Sequence, residues 1–257
     1  DGKTVDDYRP RLMSHIDRLS GLLQQKQYRA ADIKRVYIPK SNGGQRPLGL
    51  PTLDDKIVQQ GVSQILQSLW EPDFQRCSYG YRPNKSPHQA VHSLMLNLQF
   101  KGYGYIVEAD IKGFFDNMSH TWLMEMLAQR IDDKALLSLI GQWLKAKVHE
   151  PGQRAIKPTS GTPQGGVISP VLANIYLHYA LDLWFEKQVK PRLRGRAMLI
   201  RYADDFVVAF QYRDDARRFY QVLPKRLEKF DLQVAPEKTH LKRNRSFWGV
   251  VDRPIKI

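Results

Sequence analysis

The order of apolar segments predicts an α+β fold, a split β-α-β antiparallel sheet with helices on one face. Three observations carry this. Residues 103–110 form an apolar strand that ends in a carboxylate, Asp110. Two short apolar runs flank Asp204-Asp205 within 198–210, so strand, tight turn and strand put that pair at a hairpin tip. Helical patterns at about 119–130, 133–147, 169–186 and 214–229 separate and follow these strands.

Taken in order, residues 5–29 read as a helix, with Leu12, Ile16, Leu19, Leu22 and Leu23 at helical spacing. Residues 36–40 give a short strand, Ser41-Asn-Gly-Gly44 a turn, and 45–50 the returning strand. This small hairpin brings Lys40 and Arg46 close together across its turn. A helix follows over about 53–70 on the stripe Ile57, Val58, Ile65, Leu66 and Leu69. Residues 77–87, rich in Tyr, Pro and Ser, read as an ordered loop. After the 103–110 strand, Asp116 stands as a cap for the 119–130 helix. Residues 150–166, rich in Gly, Pro, Thr and Gln, read as irregular. In the long 169–186 helix, Asn174, His178 and Asp182 recur every four positions and draw one polar edge. The 198–210 hairpin, the 214–229 helix and short strands near 232–235 and 247–251 complete the order. No repeat appears, and no linker clearly divides the chain.

At 257 residues with 42% apolar content, the chain is long enough and apolar enough for a sizeable core. A net charge of +14 and a pI near 9.8 point to a polyanionic partner, most often nucleic acid. The single cysteine, Cys77, excludes an internal disulfide framework and fits a reducing compartment. No apolar run approaches the roughly 20 residues of a membrane span, and no signal peptide opens the chain. The start at Asp1-Gly2, without methionine, is expected of a piece of a longer protein.

Paired carboxylates at a hairpin tip are costly to bury unless a cation binds them. The chain holds five Asp-Asp pairs, so the dipeptide alone decides nothing; only the pair at 204 has strand-like apolar residues on both sides. Asp110, alone, reads equally as a strand-end aspartate opening a turn. Beside the hairpin it adds a third carboxylate from a neighbouring strand. Three such groups suit two Mg²⁺ ions about 3.5–4 Å apart, the arrangement that clamps both oxygens of a phosphoryl displacement. Oxygen-only ligands favour Mg²⁺, or Mn²⁺ in its place, and a lone cysteine with scattered histidines argues against zinc.

Six blocks carry a resemblance. They are Ile38-Pro-Lys-Ser-Asn-Gly-Gly-Gln-Arg-Pro-Leu-Gly49, Ser78-Tyr-Gly-Tyr-Arg-Pro-Asn84, Asp110-Ile-Lys-Gly-Phe-Phe-Asp-Asn117, Gly161-Thr-Pro-Gln-Gly-Gly-Val-Ile-Ser-Pro170, Tyr202-Ala-Asp-Asp205 and Pro236-Glu-Lys-Thr239. Over about residues 1–250, and in this order, they resemble the reverse transcriptases of bacterial group II introns.

The resemblance implies a right-hand polymerase with fingers and palm. Fingers would cover 1–80 and 125–157, and palm 81–124 and 158–257 with the primer-grip region; a thumb would follow and is absent from this stretch. It implies that Asp110 and Asp204 bind both metals, with Asp205 as third carboxylate and the backbone carbonyl of Ile111 completing the shell. Lys40 and Arg46 would hold the incoming triphosphate, where arginine adds a fork that matches phosphate oxygens. Phe115 would be a steric gate against a ribose 2′-OH, with strand alternation sending one of Phe114 and Phe115 to the core and the other to the site. Gln164 would contact the nucleotide, beside Gly165, which permits close backbone approach. Lys238 would protonate the pyrophosphate leaving group. Tyr79, Tyr81 and Arg82 would stack on or pair with nucleic acid. Phe247-Trp-Gly-Val-Val departs from the family's usual Phe-Leu-Gly at the primer grip, which puts the seating of the primer end by Phe247 and Trp248 in question.

The implied activity is RNA-directed DNA synthesis from dNTPs on an RNA template, with a DNA or RNA primer and no membrane partner, in the bacterial cytoplasm. Intron RNA is a further implied partner. The competing class is a maturase-type RNA-binding module that acts in intron splicing without polymerising. Pure binding does not require Asp110, Asp204, Asp205, Lys40 and Arg46 together, and all are present.

Overall fold

The computed structural model describes residues 4–39, 43–150, 152 and 154–244. The chain opens with helices α1 (Val5–Tyr8) and α2 (Leu12–Gln24), joined by a tighter 3₁₀ turn, Arg9–Arg11. Pro10 sits in that turn and interrupts the single helix expected over 5–29, because its ring removes a backbone donor. Strands β1 (Ile33–Pro39) and β2 (Gln45–Leu50) form the first hairpin, followed by α3 (Leu53–Trp70), α4 (Pro87–Phe100) and β3 (Tyr105–Ala109). Next come α5 (Phe114–Asn117), α6 (His120–Ala128), α7 (Lys134–Leu144), the two-residue β4 (Val148–His149) and α8 (Ser169–Leu177). The main hairpin is β5 (Ala197–Tyr202) and β6 (Asp205–Phe210), and α9 (Arg213–Glu228) and β7 (His240–Arg243) follow.

Three elements depart from expectation. The sequence pattern assigns no element to residues 88–102, where α4 runs, opened by a reciprocal cap. The Ser86 hydroxyl accepts from the Gln89 backbone N–H, and the Gln89 side chain accepts from the Ser86 backbone N–H. The expected strand at 232–235 reduces to one bridge, Ile111 with Val234, because Pro236 cannot donate to a ladder. The long helix after Ser169 widens into π-helical turns at His178–Asp182 and Phe185–Val189. Its polar edge faces inward: Asn174, His178 and Asp182 are all buried.

The chain divides into two compact units. The first comprises Asp1–Leu69 and Met118–Leu172, and the second Trp70–Asn117 and Ala173–Ile257. The first unit holds a three-stranded sheet in the order β2-β1-β4, with β1 antiparallel to β2 and parallel to β4. Its buried Asp55 gathers the chain around it, accepting from Tyr28, Thr52, Trp143 and the Ala31 backbone N–H.

The second unit holds a four-stranded antiparallel sheet in the order β5-β6-β3-β7. Alternation assigns its two faces. Leu199, Phe206, Val208, Phe210 and Val107 share one face, all deeply buried, and the Phe219 ring of α9 packs 5.3 Å from that of Phe210. Ile106, Met198, Ile200, Val207 and Ala209 share the other face, and α4 covers them with Ala90, Leu94 and Leu98. Helices therefore lie on both faces, not one as expected, because the second face is also apolar at that end and must be buried.

Candidate active site

Register builds the site. In β3 and β6 the pairing runs Ile106 with Ala209, Glu108 with Val207 and Ala109 with Phe206, so the next step puts Asp110 opposite Asp205. In β3 and β7 the pairing of Ile106 with Lys242 and Glu108 with His240 carries on to Asp110 with Lys238. All of these lie on the face that α4 covers at its apolar end. Its other end is polar: Lys242 donates to Glu108 (2.6 Å), and the Lys238 ammonium pairs with the Asp110 carboxylate. Asp204 sits one residue before Asp205, in the two-residue turn between Tyr202 and Asp205.

That turn is held in an unusual shape. Ala203 adopts φ +57°, the left-handed region that a short hairpin connection demands and that alanine seldom enters. Gly80 lies directly behind it. A Cβ on Gly80 would stand 2.2 Å from the Ala203 nitrogen, so only glycine fits.

The electrostatics mark the same end of the sheet. Burial pushes the Asp204 carboxyl up to about 6, and the negative charges of Asp205 and Asp110 add to the rise, against the opposing pull of Lys238. Asp205 is raised too, by desolvation first and then by Asp110. Lys238 is pushed up by its hydrogen bond to Asp110. Among the described residues no three Asp, Glu, His or Cys side chains converge closely enough to enclose a metal ion. The donor set nevertheless suits a hard cation, because it is all oxygen and the Asp110 charge adds to the raised pKa of both Asp204 and Asp205. Ile111, next to Asp110, is buried and bridges to Val234, while the Asp110 carbonyl accepts from the Ala235 N–H (2.8 Å).

Phe114 and Phe115 follow Asp110 on a helical turn entered through Gly113 at φ +54°. Their directions diverge by helical rotation and not by the strand alternation expected. Phe114 is buried, edge-on to Tyr176, and Phe115 is half-buried, edge-on to Phe114.

Other expected residues lie elsewhere. In the first unit, Arg46 is exposed on β2, and the Gln164 carbonyl accepts from the Gly49 N–H (2.7 Å), tying 164–165 against β2. Gly165 (φ +103°) is required there, since a Cβ would meet the Gly49 oxygen at 2.9 Å. In the second unit, Tyr79 packs on the α4 cluster and Tyr81 is exposed at φ +56°. Arg82 departs from its expected role. Its side chain is 7% exposed, forks onto Glu71, donates to the Gln75 and Ser78 carbonyls and lies over the Phe74 ring. Its guanidinium is spent on the fold and is not presented to nucleic acid. Lys40, Phe247 and Trp248 lie outside the described residues.

Sequence reasoning missed Gly80 and Arg201. The signal for Arg201 was a cation at an inward-facing position of an otherwise apolar strand, next to Tyr202-Ala-Asp-Asp205.

Residues 38–251 match the family model described as reverse transcriptase (RNA-dependent DNA polymerase). Protein YkfC of Escherichia coli is 35% identical over 237 residues, covering 81% of this chain and 62% of YkfC. The group II intron-encoded protein LtrA of Lactococcus lactis is 43% identical over 164 residues, covering 63% of this chain and 27% of LtrA. The chain thus spans less than two thirds of the length of these relatives. Among solved structures, a telomerase from Candida tropicalis in complex with a fragment of telomeric RNA aligns with a TM-score of 0.65 at 18% identity, covering 90% of this chain and 45% of that one. Apo telomerase from the same organism, truncated from its C-terminal domain, aligns at 0.64 and 17%, covering 91% and 56%. These structures share the fold. On the match over 38–251, the chain belongs to the reverse transcriptase (RNA-dependent DNA polymerase) family.

Proposed function

We propose that this chain is the polymerising core of a reverse transcriptase, joining a dNTP to a primer 3′-OH on an RNA template and releasing pyrophosphate. The observation that carries this is the placement of Asp110 opposite Asp205 on one face of the sheet, with Asp204 in the adjoining turn, its pKa raised by burial first and then by both charges. Asp110, Asp204 and Asp205, with the Ile111 carbonyl, are the residues that would hold two Mg²⁺ ions. Bound there, the ions would supply Lewis-acid stabilisation to the attacking and leaving oxygens.

The side chains have distinct tasks. Lys238 pairs with Asp110 and, on the family resemblance, gives its proton to the leaving pyrophosphate once released. Phe115 excludes a 2′-OH. Arg46 with Lys40 binds the triphosphate, and Gln164 with Gly165 borders the nucleotide; these assignments rest on the family resemblance. On the same basis the first compact unit corresponds to fingers and the second to palm. Intron RNA is a natural template for a chain this similar to an intron-encoded protein.

Primer extension tests the reading. With an RNA template, a labelled DNA primer, dNTPs and Mg²⁺, extension is expected, and chelation should abolish it. RNA binding without any extension would replace the polymerase with the maturase-type module.

A further inference from the structure

We infer that Arg201 is a positioning residue for the metal-binding turn, acting from behind it through the carbonyl of Ala203. The inference rests on the polymerase reading for its consequence, but its geometry is independent of that reading.

Arg201 is fully buried, and so are its partners Asp182, Asn174 and Ser78. All five of its side-chain N–H donors are used. Nε and one Nη2 hydrogen go to the two carboxylate oxygens of Asp182 (2.9 and 2.6 Å). The other Nη2 hydrogen goes to the Ser78 hydroxyl (2.9 Å), and Nη1 donates to the Asn174 side-chain oxygen (3.0 Å) and the Ala203 carbonyl (2.8 Å). The last bond reaches the turn itself, one residue before Asp204. A second route closes on the same point: Asn174 Nδ2 donates to the Gly80 carbonyl (2.8 Å), and Gly80 is the residue against which Ala203 packs. The backbone joins in, with the Arg201 N–H on the Cys77 carbonyl and the Tyr79 N–H on the Arg201 carbonyl.

Stability alone is a poor account of this arrangement. A buried ion pair seldom out-stabilises apolar side chains of the same volume, because desolvation offsets the attraction. The gain is in direction. A planar fork with fixed donors holds four partners at once, which an ammonium cannot do. It pins the carbonyl of a residue in the left-handed region, where alanine would otherwise relax, and so fixes where Asp204 and Asp205 leave the turn. Groups that orient metal ligands in this indirect way typically change metal affinity or activity about 10- to 100-fold when removed.

Three variants test this: Arg201→Lys, the apolar double replacement Arg201→Met with Asp182→Leu, and Asn174→Ala. Folding is checked by circular dichroism, Mn²⁺ affinity by the EPR signal of free Mn²⁺, and single-nucleotide incorporation by kcat and KM. The first two variants are expected to fold and to bind Mn²⁺ about 10-fold or more weakly, with kcat lowered to match and the KM for dNTP little changed. Asn174→Ala keeps the Arg201–Asp182 pair, should show a smaller loss of the same kind, and decides the question if the others do not fold. Wild-type Mn²⁺ affinity in every folded variant overturns the inference. Because that affinity is read without catalysis, a wild-type chain that binds Mn²⁺ and extends no primer would fault the polymerase reading and leave this test standing.

Discussion

Lys238 is 65% exposed while its partner Asp110 is largely covered, so their ion pair is the weakly held kind that a divalent cation displaces at small cost. Replacing Lys238 with Met should therefore tighten Mn²⁺ binding, by up to about fivefold if the pair is worth ~1 kcal/mol, while slowing nucleotide incorporation. Titration by EPR alongside single-turnover kinetics checks both; weaker Mn²⁺ binding would contradict the competition. Phe115 stands apart from its neighbour in exposure, half-buried where Phe114 is buried. Phe115→Ala should raise ribonucleotide incorporation relative to deoxynucleotide by about 10- to 100-fold, the range expected for relieving one steric clash. Unchanged sugar selectivity in a competition assay counts against the gate.

At the scale of elements, the β5–β6 hairpin is shaped from behind. Gly80→Ala forces a methyl onto the Ala203 nitrogen, so the turn or the 77–80 segment must move. The expected cost is about 1–3 kcal/mol in urea unfolding, with a larger proportional loss of incorporation; wild-type values for both would contradict the packing. The π-helical turn after α8 predicts a pH dependence. Burial lowers the pKa of His178 below its usual value, and its Nδ1 has no hydrogen-bond partner among the described residues. A base depressed in the folded state binds more protons when unfolded, so its contribution is intact above about pH 6.5 and is lost as pH falls below that. His120 is depressed for the same leading reason, burial, and adds to the slope. Urea midpoints should fall between pH 7.5 and 5.5, and less so in His178→Leu; equal slopes would refute the assignment. The elements legible in the sequence were short apolar runs bounded by turns, such as β3, β5 and β6, and helices with one apolar face, such as α9. Helix α4 was missed although Ser86-Pro-His-Gln89 spells a capping box, because Val91, Met95, Leu96 and Phe100 are exposed and blur its period. Strand β7 carries one apolar residue, Leu241, among His240, Lys242 and Arg243, so no alternation announced it. Asp110, Asp204 and Asp205 were legible because carboxylates ending apolar strands stand out. Arg201 was not, since its role depends on partners 19, 27 and 123 residues away.

At the scale of the molecule, a net charge of +14 and membership of the reverse transcriptase family point the same way, to a polyanionic template. In the proposed reading the positive charge and the three acids have separable tasks: the first would gather nucleic acid, the second would act on it. Binding should therefore survive changes at the acids and weaken with salt, whereas polymerisation should not survive them. The most direct measurement is single-nucleotide addition to a primer on an RNA template by Asp204→Ala, with its fold and its salt-dependent RNA binding compared with wild type. The expected result is a folded variant that binds RNA normally and adds nucleotide at least about 10³-fold more slowly, the loss of roughly 4 kcal/mol of metal-assisted stabilisation. Addition at the wild-type rate by that variant would contradict it.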